Sequence, residues 1–335
     1  MRLLVLGGTH FVGRAVVEEA VRRGDEVTLV NRGRSPLPPG TAGTGVETLV
    51  ADRTDREALR AALDGREWDA VVDTWSGAPK VVAEACGLLD GRVGHYGYVS
   101  SRSVHSWPIP PGADESAQVV ESDPDSEAAD DYAEAKRGGE LAVLRVFGER
   151  ALLARAGLVI GPYENIGRLP WWLRRVERGG RVLAPGRPGR PLQYIDARDI
   201  AIWMLGAAQR GVGGAFNTVS HPGHATMGEL LDEIIRVTGS DAELVWTPAE
   251  VIEEAGIAAW TELPVWLPEG GEEDGLHDGD VSAAHEAGLV CRPLRETVAD
   301  TWEWLKVEGD PALRADRPSV GLDPAKEAKV LDGLT

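Results

Sequence analysis

The start of the chain constrains its fold more than any other stretch. An apolar run at residues 3–6 leads directly into a glycine-containing turn at 7–13, and apolar residues then recur at helical spacing up to Gly24. A strand, a tight turn and a helix in this order predict a β-α-β unit, which a second apolar run at 26–30 completes. Backbone N–H groups and the helix dipole converge at such a turn, so we predict an anion site there.

The spacing of the glycines makes this prediction more specific. Gly7 and Gly13 would let the chain turn tightly and let the helix pack close to the strand. This pattern is typical of a site for a dinucleotide pyrophosphate, whereas a turn without a ligand is the alternative interpretation of the glycines taken alone. The residues expected to contact the cofactor here are Gly7, Thr9, His10, Phe11, Val12 and Gly13.

Strands and helices alternate after the opening unit. Further strands are predicted at 46–50, 68–72 and 96–99, with helices at 55–63 and 81–89. This alternation predicts an α/β fold with a doubly wound parallel sheet. Past Gly161 the pattern becomes mainly helical, with 179–191 expected to be a loop, and it indicates a smaller, mixed, mainly helical C-terminal lobe. We therefore expect a dinucleotide-binding domain at 1–165, to which 192–220 return, and a substrate-binding lobe at 166–191 and 221–335.

Composition restricts the class of protein. The 335 residues are enough for two lobes, and the two cysteines, Cys86 and Cys291, imply no disulfide framework. No apolar run is long enough to cross a bilayer or to act as a signal peptide, so a cytoplasmic protein is expected. The net charge of −19 argues against nucleic acid or an anionic membrane as partner. The histidines at 221, 224, 277 and 285 show no metal-ligand spacing, so no metal is predicted and surface or capping positions are expected for them.

The end of the second strand bears on the choice of cofactor. An acidic residue at this place binds the ribose 2′-hydroxyl of NAD, whereas arginine accommodates the 2′-phosphate of NADP. This chain has Asn31, Arg32 and Arg34 there, and no acid. The pattern favours NADP, with NAD as the alternative, although a solvated turn would also account for these residues.

A tyrosine and a lysine four residues apart suggest proton-transfer chemistry. Tyr132 and Lys136 open a predicted helix running to about 147, and this spacing places both side chains on one face. A free tyrosine has a pKa near 10, and an ammonium group within about 4–6 Å favours its phenolate form. With a serine nearby to hold the substrate oxygen, this set could move a proton on a carbinol while its hydride passes to a nicotinamide.

These motifs together resemble the extended short-chain dehydrogenase/reductase superfamily, which includes NAD(P)-dependent epimerases and dehydratases. The landmarks that match are the glycine turn, Asp52, the 98–104 segment, the tyrosine–lysine pair, 155–162 and 193–201. The resemblance implies a Rossmann-type sheet and a catalytic set of Ser101, Tyr132 and Lys136, with Lys136 also holding the nicotinamide ribose. It further implies cofactor contacts at Asp52, Arg53, Thr74, Ala156 and Leu158.

The chain departs from the pattern of the superfamily at three places. His10 replaces the middle glycine of the turn, His105 replaces the tyrosine usual after the serine motif, and Leu192-Gln193 stands where epimerases of nucleotide sugars often carry an arginine. The opening motif also resembles a subgroup that includes chloroplast stem-loop RNA-binding proteins. A non-catalytic nucleotide- or RNA-binding protein is therefore the alternative function.

The expected function is that of an NAD(P)-dependent oxidoreductase or epimerase acting on a secondary alcohol or ketone. The predicted substrate is polar, sugar-like or a nucleotide sugar, and anionic, because 168–190 contain seven arginines and a single acid, Glu177. Arg168, Arg187 and Arg190 are the predicted substrate contacts. Dehydration is the least expected reaction, since no pair of acids adjoins Ser101. A homodimer is compatible with the sequence.

Overall fold

The computed structural model describes residues 1–38, 41, 44–315 and 318–334. The strands are β1 (Arg2–Leu6), β2 (Glu26–Asn31), β3 (Glu47–Val50), β4 (Trp68–Asp73), β5 (Val93–Ser101), β6 (Ala151–Ala156), β7 (Leu158–Ile160), β8 (Arg181–Pro185), β9 (Pro191–Leu192), β10 (Tyr194–Asp196), β11 (Gly214–Thr218), β12 (Ala225–Thr226) and β13 (Glu243–Thr247). The helices are α1 (Phe11–Arg23), α2 (Arg56–Leu63), α3 (Pro79–Leu89), α4 (Tyr132–Phe147), α5 (Arg168–Glu177), α6 (Ala197–Arg210), α7 (Met227–Thr238), α8 (Ala249–Glu254), α9 (Ser282–Glu286), α10 (Leu294–Glu308) and α11 (Pro324–Gly333).

A seven-stranded sheet in the order β11-β6-β5-β4-β1-β2-β3 forms the centre of the first domain, and every neighbouring pair is parallel. The residues of β1 alternate between its two faces, as the pleat of a strand requires. Leu3 and Val5 join one hydrophobic cluster, and Leu4 and Leu6 join another on the opposite face. This double burial explains why the strand reads as a continuous apolar run, and the doubly wound α/β fold predicted from the sequence is confirmed.

The strand order reverses between β1 and β4. The chain runs outward through β2 and β3 on one side of β1, and through β4, β5, β6 and β11 on the other. Leu6 at the end of β1 is in register with Asp73 at the end of β4. Ligands of open α/β sheets bind at such a reversal, beyond the carboxyl ends of the strands, and the glycine turn lies at this place.

The second lobe has its own hydrophobic core, built around α5, α7 and α10, with Trp172 at 0% exposure. The segment 179–191, expected to be a loop, contains β8 and β9, so that expectation is wrong. β8 pairs in parallel with β13, and Val182, Leu183 and Ala184 are buried. The glycines of this segment lie outside β8, and Pro185 is the last residue of that strand, so neither residue type interrupts it. The exact domain boundaries stay a prediction.

No helix in the described part of the chain is both long enough and apolar enough to cross a bilayer.

Candidate active site

A cleft of about 660 Å³ opens between the carboxyl edge of the sheet and the second lobe. The first domain contributes the glycine turn, the end of β5 and the start of α4, and the second lobe contributes the 259–276 region. The volume lies in the range of sites for small molecules and cofactors.

The glycine turn is packed so closely that an added side chain would collide with neighbouring atoms. Gly7 has a φ of +120°, and an added Cβ would lie 2.5 Å from the Thr74 hydroxyl. A Cβ on Gly13 would lie 2.8 Å from the backbone nitrogen of Gly8. Glycine is therefore required both for the backbone conformation and for the close approach of α1. This cradle at the start of α1 fits the pyrophosphate of a dinucleotide.

His10, the departure from the usual glycine, lines the cleft beside Phe11, Val12 and Gly13. It occupies the N-cap position of α1 without capping the helix, and its Nε2 lies 3.0 Å from the Ser35 hydroxyl. Partial burial lowers the pKa of His10, and the nearby Arg314 and Arg32 lower it further. These effects favour the neutral imidazole, which has one N–H donor and one acceptor nitrogen.

Ser101, Tyr132 and Lys136 all line this cleft. Ser101 ends β5, and its hydroxyl accepts from the Ser103 N–H at 3.1 Å. Tyr132 is the first residue of α4, whose start is capped by Asp131 accepting from the Glu134 N–H at 2.8 Å. Lys136, 3% exposed, donates to the carbonyls of Val99, at 2.7 Å, and Trp75. The three residues predicted to be catalytic are therefore brought together.

A buried ion pair that the sequence analysis missed holds α4 against the sheet. The Glu140 carboxylate accepts from Arg155 at 2.9 Å and from the Ser100 hydroxyl at 2.7 Å. Close packing on the same helix face needs Gly139, because a Cβ there would collide with the Tyr98 hydroxyl. These contacts tie the helix carrying Tyr132 to the ends of β5 and β6.

The predicted contacts near the nicotinamide also reach the cleft. Ala156 pairs in register with Ser101 across β6 and β5, and both Ala156 and Leu158 line the cleft. Thr74 lines it as well, and its hydroxyl lies 3.2 Å from the Leu6 carbonyl. The register of the sheet thus places these residues beside the serine.

The residues predicted at the adenosine end lie at the ends of β2 and β3. Asn31 Oδ1 accepts from the Gly33 N–H at 2.7 Å, and Arg32 and Arg34 are exposed. Asp52 accepts from both the backbone and the hydroxyl of Thr54, and these hydrogen bonds lower its pKa. The turn therefore presents two cationic side chains to solvent beyond β2.

Arg53 is buried and is not part of the lining of the cleft. Its guanidinium is buried and donates two hydrogen bonds, of 2.6 and 2.7 Å, to Asp73. The Tyr96 hydroxyl donates to the same carboxylate at 2.7 Å. A fully buried carboxylate needs such a counter-charge, so Arg53 stabilises the end of β4, and its contact with the cofactor stays a prediction.

Arg187 and Arg190 are not part of the lining of the cleft. Arg187 lies on the surface and forms an ion pair with Glu269, at 2.8 Å. Arg190 is buried and donates to the Leu267 carbonyl at 3.1 Å and to Asp274 at 2.8 Å. Both are neutralised by acids distant in sequence, which a local charge count does not include. Neither side chain lines the cleft, so their role as substrate contacts stays a prediction, and Arg190 shapes the loop that carries Leu267 into the cleft.

Arg168 is the arginine of this set that lines the cleft. It is the first residue of α5, and its guanidinium carbon lies 5.1 Å from the centre of the Trp260 ring. Glu164, fully buried, accepts from the Arg168 and Leu169 N–H groups at 2.7 and 3.2 Å. The start of α5 is thereby fixed at the wall of the cleft.

Gln193, at the place where an arginine is usual in epimerases, is buried in a structural network. Its amide donates to the carbonyls of Ser220, at 2.8 Å, and Gly279, at 2.9 Å. His277 accepts from the Gln193 N–H at 3.1 Å, and burial lowers the pKa of His277 to about 4. The expected surface or capping position of His277 is therefore wrong.

Further residues that line the cleft were not predicted. They include Ser76, Trp107, Asn165, Trp260 and Arg314. Ser76 follows the end of β4 closely, so its position could have been inferred from the sheet. The others come from connections whose path depends on how the second lobe packs, and no local motif marks them.

Comparison with known proteins supports the first domain directly. Residues 7–138 match a family model described as NAD(P)H-binding. The chain is 26% identical over 250 residues to the uncharacterized protein y4nG of Sinorhizobium fredii, which covers 70% of this chain. It is 25% identical over 218 residues, or 61% of this chain, to the chloroplast stem-loop binding protein of 41 kDa b of Arabidopsis thaliana. The matched regions span 59% and 54% of these relatives.

Solved structures match the fold over nearly the whole chain. The enzyme WbmH of Bordetella bronchiseptica, in complex with NAD⁺, has a TM-score of 0.67 at 15% identity, covering 92% of this chain and 99% of that one. UDP-glucose 4-epimerase of Thermotoga maritima, with UDP-glucose, has a TM-score of 0.65 at 19% identity, covering 92% and 100%. The sequence motifs and the comparisons agree: residues 7–138 match an NAD(P)H-binding domain, and the chain has the fold of these two structures.

Proposed function

We propose that the protein is an NAD(P)-dependent oxidoreductase or epimerase that acts on a secondary alcohol or ketone of a sugar-like substrate. The observation that carries this proposal is the arrangement of the cleft. The glycine cradle and the set of Ser101, Tyr132 and Lys136 line one continuous cavity. A nicotinamide bound there would supply the acceptor or donor of a hydride.

The side chains of the cleft have different roles in the proposed reaction. Tyr132 takes the proton from the substrate hydroxyl, or returns it to the carbonyl, as the general acid/base. The Lys136 ammonium stabilises negative charge on the phenolate, and the carbonyls of Val99 and Trp75 hold that ammonium in place. Ser101, oriented by the Ser103 N–H, donates a hydrogen bond to the substrate oxygen. Trp260 and the apolar wall at Leu158 exclude water from the reacting atoms.

The substrate is proposed to be anionic, with a nucleotide sugar as its class. Arg168 supports this, because it places a guanidinium in the cleft where a phosphate could accept a bidentate pair of hydrogen bonds. The related fold of the Thermotoga maritima protein, whose structure contains UDP-glucose, supports the same class. The Gln193 side chain is held in the buried network. Arg168 therefore takes the role in binding the substrate diphosphate that an arginine at the position of Leu192-Gln193 has in nucleotide-sugar epimerases.

NADP is proposed in preference to NAD. The exposed Arg32 and Arg34 lie beyond β2, and the last residue of that strand is Asn31 instead of an acidic residue. Arginine binds a phosphate through charge-assisted hydrogen bonds, which are about twice as strong as neutral ones.

Binding of a stem-loop RNA is the second candidate, favoured by the name of the Arabidopsis thaliana relative. A net charge of −19 opposes it, since affinity for nucleic acid comes largely from contacts between cationic groups and phosphates. The assembled set of Ser101, Tyr132 and Lys136 also has no use in such binding. The enzymatic function is therefore preferred.

A panel of nucleotide sugars tests the proposal. The purified protein is incubated with NADP⁺ or NAD⁺ and each sugar, and the products are separated by chromatography while reduced nicotinamide is followed by its absorbance. We expect turnover of at least one member, as an epimer or as a ketone with reduced cofactor. Failure to bind either cofactor, together with tight binding of a stem-loop RNA, would favour the second candidate.

A further inference from the structure

The segment 265–279, defined here as the wall loop, forms part of the second-lobe side of the cleft. Its regular structure is a short 3₁₀ turn at Asp274–Leu276. A segment with so little backbone pairing of its own keeps its shape through contacts with other elements. Four of its residues line the cavity, namely Leu267, Pro268, Glu273 and Leu276. The contacts that hold the wall loop therefore influence the width of the cleft.

Arg102, which comes directly after Ser101, holds the wall loop from the first domain. It begins the 3₁₀ turn that follows β5. Its guanidinium donates to the carbonyls of Leu276 and Gly275, each at 2.7 Å. These partners lie 174 and 173 residues away in the sequence. One side chain therefore joins the strand end that carries Ser101 to the second-lobe wall of the cleft.

The surroundings of Arg102 enclose its guanidinium closely. The residue is 1% exposed, and a Cβ added to Gly279 would collide with its Nη2. A longer hydrogen bond, of 3.3 Å, reaches the Gln193 side chain, which also accepts from the Gly279 N–H at 2.7 Å. Burial lowers the pKa of Arg102 to about 10, so the side chain is charged at pH 7. Because a buried charge is costly unless hydrogen bonds satisfy it, we expect the loss of these contacts to disturb the wall loop.

Arg190 holds another part of the wall loop from within the second lobe. It donates to the carbonyls of Leu267, at 3.1 Å, and Pro268, at 3.2 Å, and to the Asp274 carboxylate at 2.8 Å. The two arginines thus have different roles. Arg190 fixes the wall loop to its own lobe, whereas Arg102 links it to the end of β5.

We propose that Arg102 is a positioning residue for the substrate, because its bonds to Gly275 and Leu276 set the distance between Ser101 and the wall loop. The inference rests on the proposed function, in which Ser101 orients the substrate oxygen. A planar guanidinium suits this role, since its donors can bind two carbonyls at once in a fixed geometry. The cradle for the cofactor lies at the start of α1, so cofactor affinity should not depend on Arg102.

Hydrogen exchange followed by mass spectrometry tests this link without any ligand. In Arg102→Met, the backbone amides of the wall loop are expected to exchange about tenfold faster or more, because two charge-assisted hydrogen bonds are lost. Arg92→Met is the matched control. Arg92 also donates to backbone carbonyls, those of Leu63, Arg66 and Leu88, but it lies outside the lining of the cleft. This control should leave exchange in the wall loop unchanged.

Gly279→Ala provides a second variant, which keeps the charge of Arg102 but displaces its guanidinium. The backbone at Gly279 lies outside the left-handed region, so alanine can adopt its conformation. We expect the same faster exchange in the wall loop. This variant decides the matter if Arg102→Met does not fold.

Steady-state kinetics connect the link to the substrate. With the nucleotide sugar that turns over in the panel, Arg102→Met is expected to raise KM about tenfold, with a smaller change in kcat. The Kd of NADPH, measured by calorimetry, should stay within about twofold of the wild-type value. A general loss of structure would instead weaken NADPH binding and lower kcat together.

The proposed function and this inference can fail separately, because hydrogen exchange requires no turnover. A wild-type protein that turns over no nucleotide sugar contradicts the proposed function. Unchanged exchange of the wall loop in Arg102→Met and in Gly279→Ala overturns the structural link. Faster exchange with an unchanged KM would show that the link does not position the substrate.

Discussion

The buried carboxyl group of Glu164 supports one wall of the cleft. Burial raises its pKa to about 7, although Arg168 and the backbone N–H groups at the start of α5 act in the opposite direction. A carboxyl group whose pKa is raised by folding stabilises the fold fully below its ordinary pKa of about 4.5. That contribution is lost as the pH rises through about 7.

Glu164→Gln is expected to reduce this pH dependence. Between about pH 5.5 and about pH 8, the wild type should lose about 2 kcal/mol more unfolding free energy than the variant. Urea unfolding at the two pH values measures the difference, and Glu296→Gln, at an exposed position on α10, is the matched control. Equal losses in the wild type and in Glu164→Gln would show that the buried carboxyl group does not titrate in this range.

At the scale of elements, the turn between β1 and α1 depends on the absence of a side chain. The Cβ of Gly13→Ala would meet backbone atoms of Gly8, which cannot move away as a flexible side chain could. Gly87 in α3 has no atom within 4 Å of an added Cβ, so it provides a matched helical position.

We expect Gly13→Ala to lower the unfolding free energy by about 1–3 kcal/mol and to weaken NADPH binding. Gly87→Ala should raise the unfolding free energy by about 0.5–1 kcal/mol and leave binding unchanged. Denaturant unfolding and calorimetric titration measure the two effects. Equal behaviour of both variants would contradict the close packing of α1 on the turn.

Local patterns predicted the elements of the first domain well. Alternating burial on β1, the glycine turn and the four-residue spacing of Tyr132 and Lys136 each act over a few residues, so the sequence contains them directly. The sequence analysis did not predict β8, because its partner strand β13 lies some sixty residues later in the chain. No sequence window centred on 181–185 includes β13. The ion pairs of Arg53 and Arg190 were missed for the same reason. Their partners, Asp73 and Asp274, come close to them only in the folded chain.

At the scale of the whole molecule, the arginines of 168–190 hold the second lobe together. Arg174 binds Asp310, and Arg175 forms a buried pair with Glu327 of α11 at 2.7 Å. Their excess positive charge therefore secures the C-terminal segments, and of the three arginines predicted to contact substrate, Arg168 is the one at the cleft. The composition of 168–190 located this positive charge but could not assign its use, because the acids that pair with Arg174, Arg175, Arg187 and Arg190 include partners 82 to 152 residues away in the sequence.

The proposed function depends on proton transfer by Tyr132 to or from the substrate, in a cleft that also holds the nicotinamide. The most direct test is single-turnover hydride transfer with the nucleotide sugar that the panel identifies, followed by nicotinamide absorbance in the wild type and in Tyr132→Phe. Tyr194→Phe, which removes a buried hydroxyl outside the lining of the cleft, is the matched control. We expect Tyr132→Phe to slow hydride transfer by about 10²–10⁴-fold with cofactor affinity nearly unchanged, and Tyr194→Phe to keep the wild-type rate. A near-normal rate of hydride transfer in Tyr132→Phe would contradict the account.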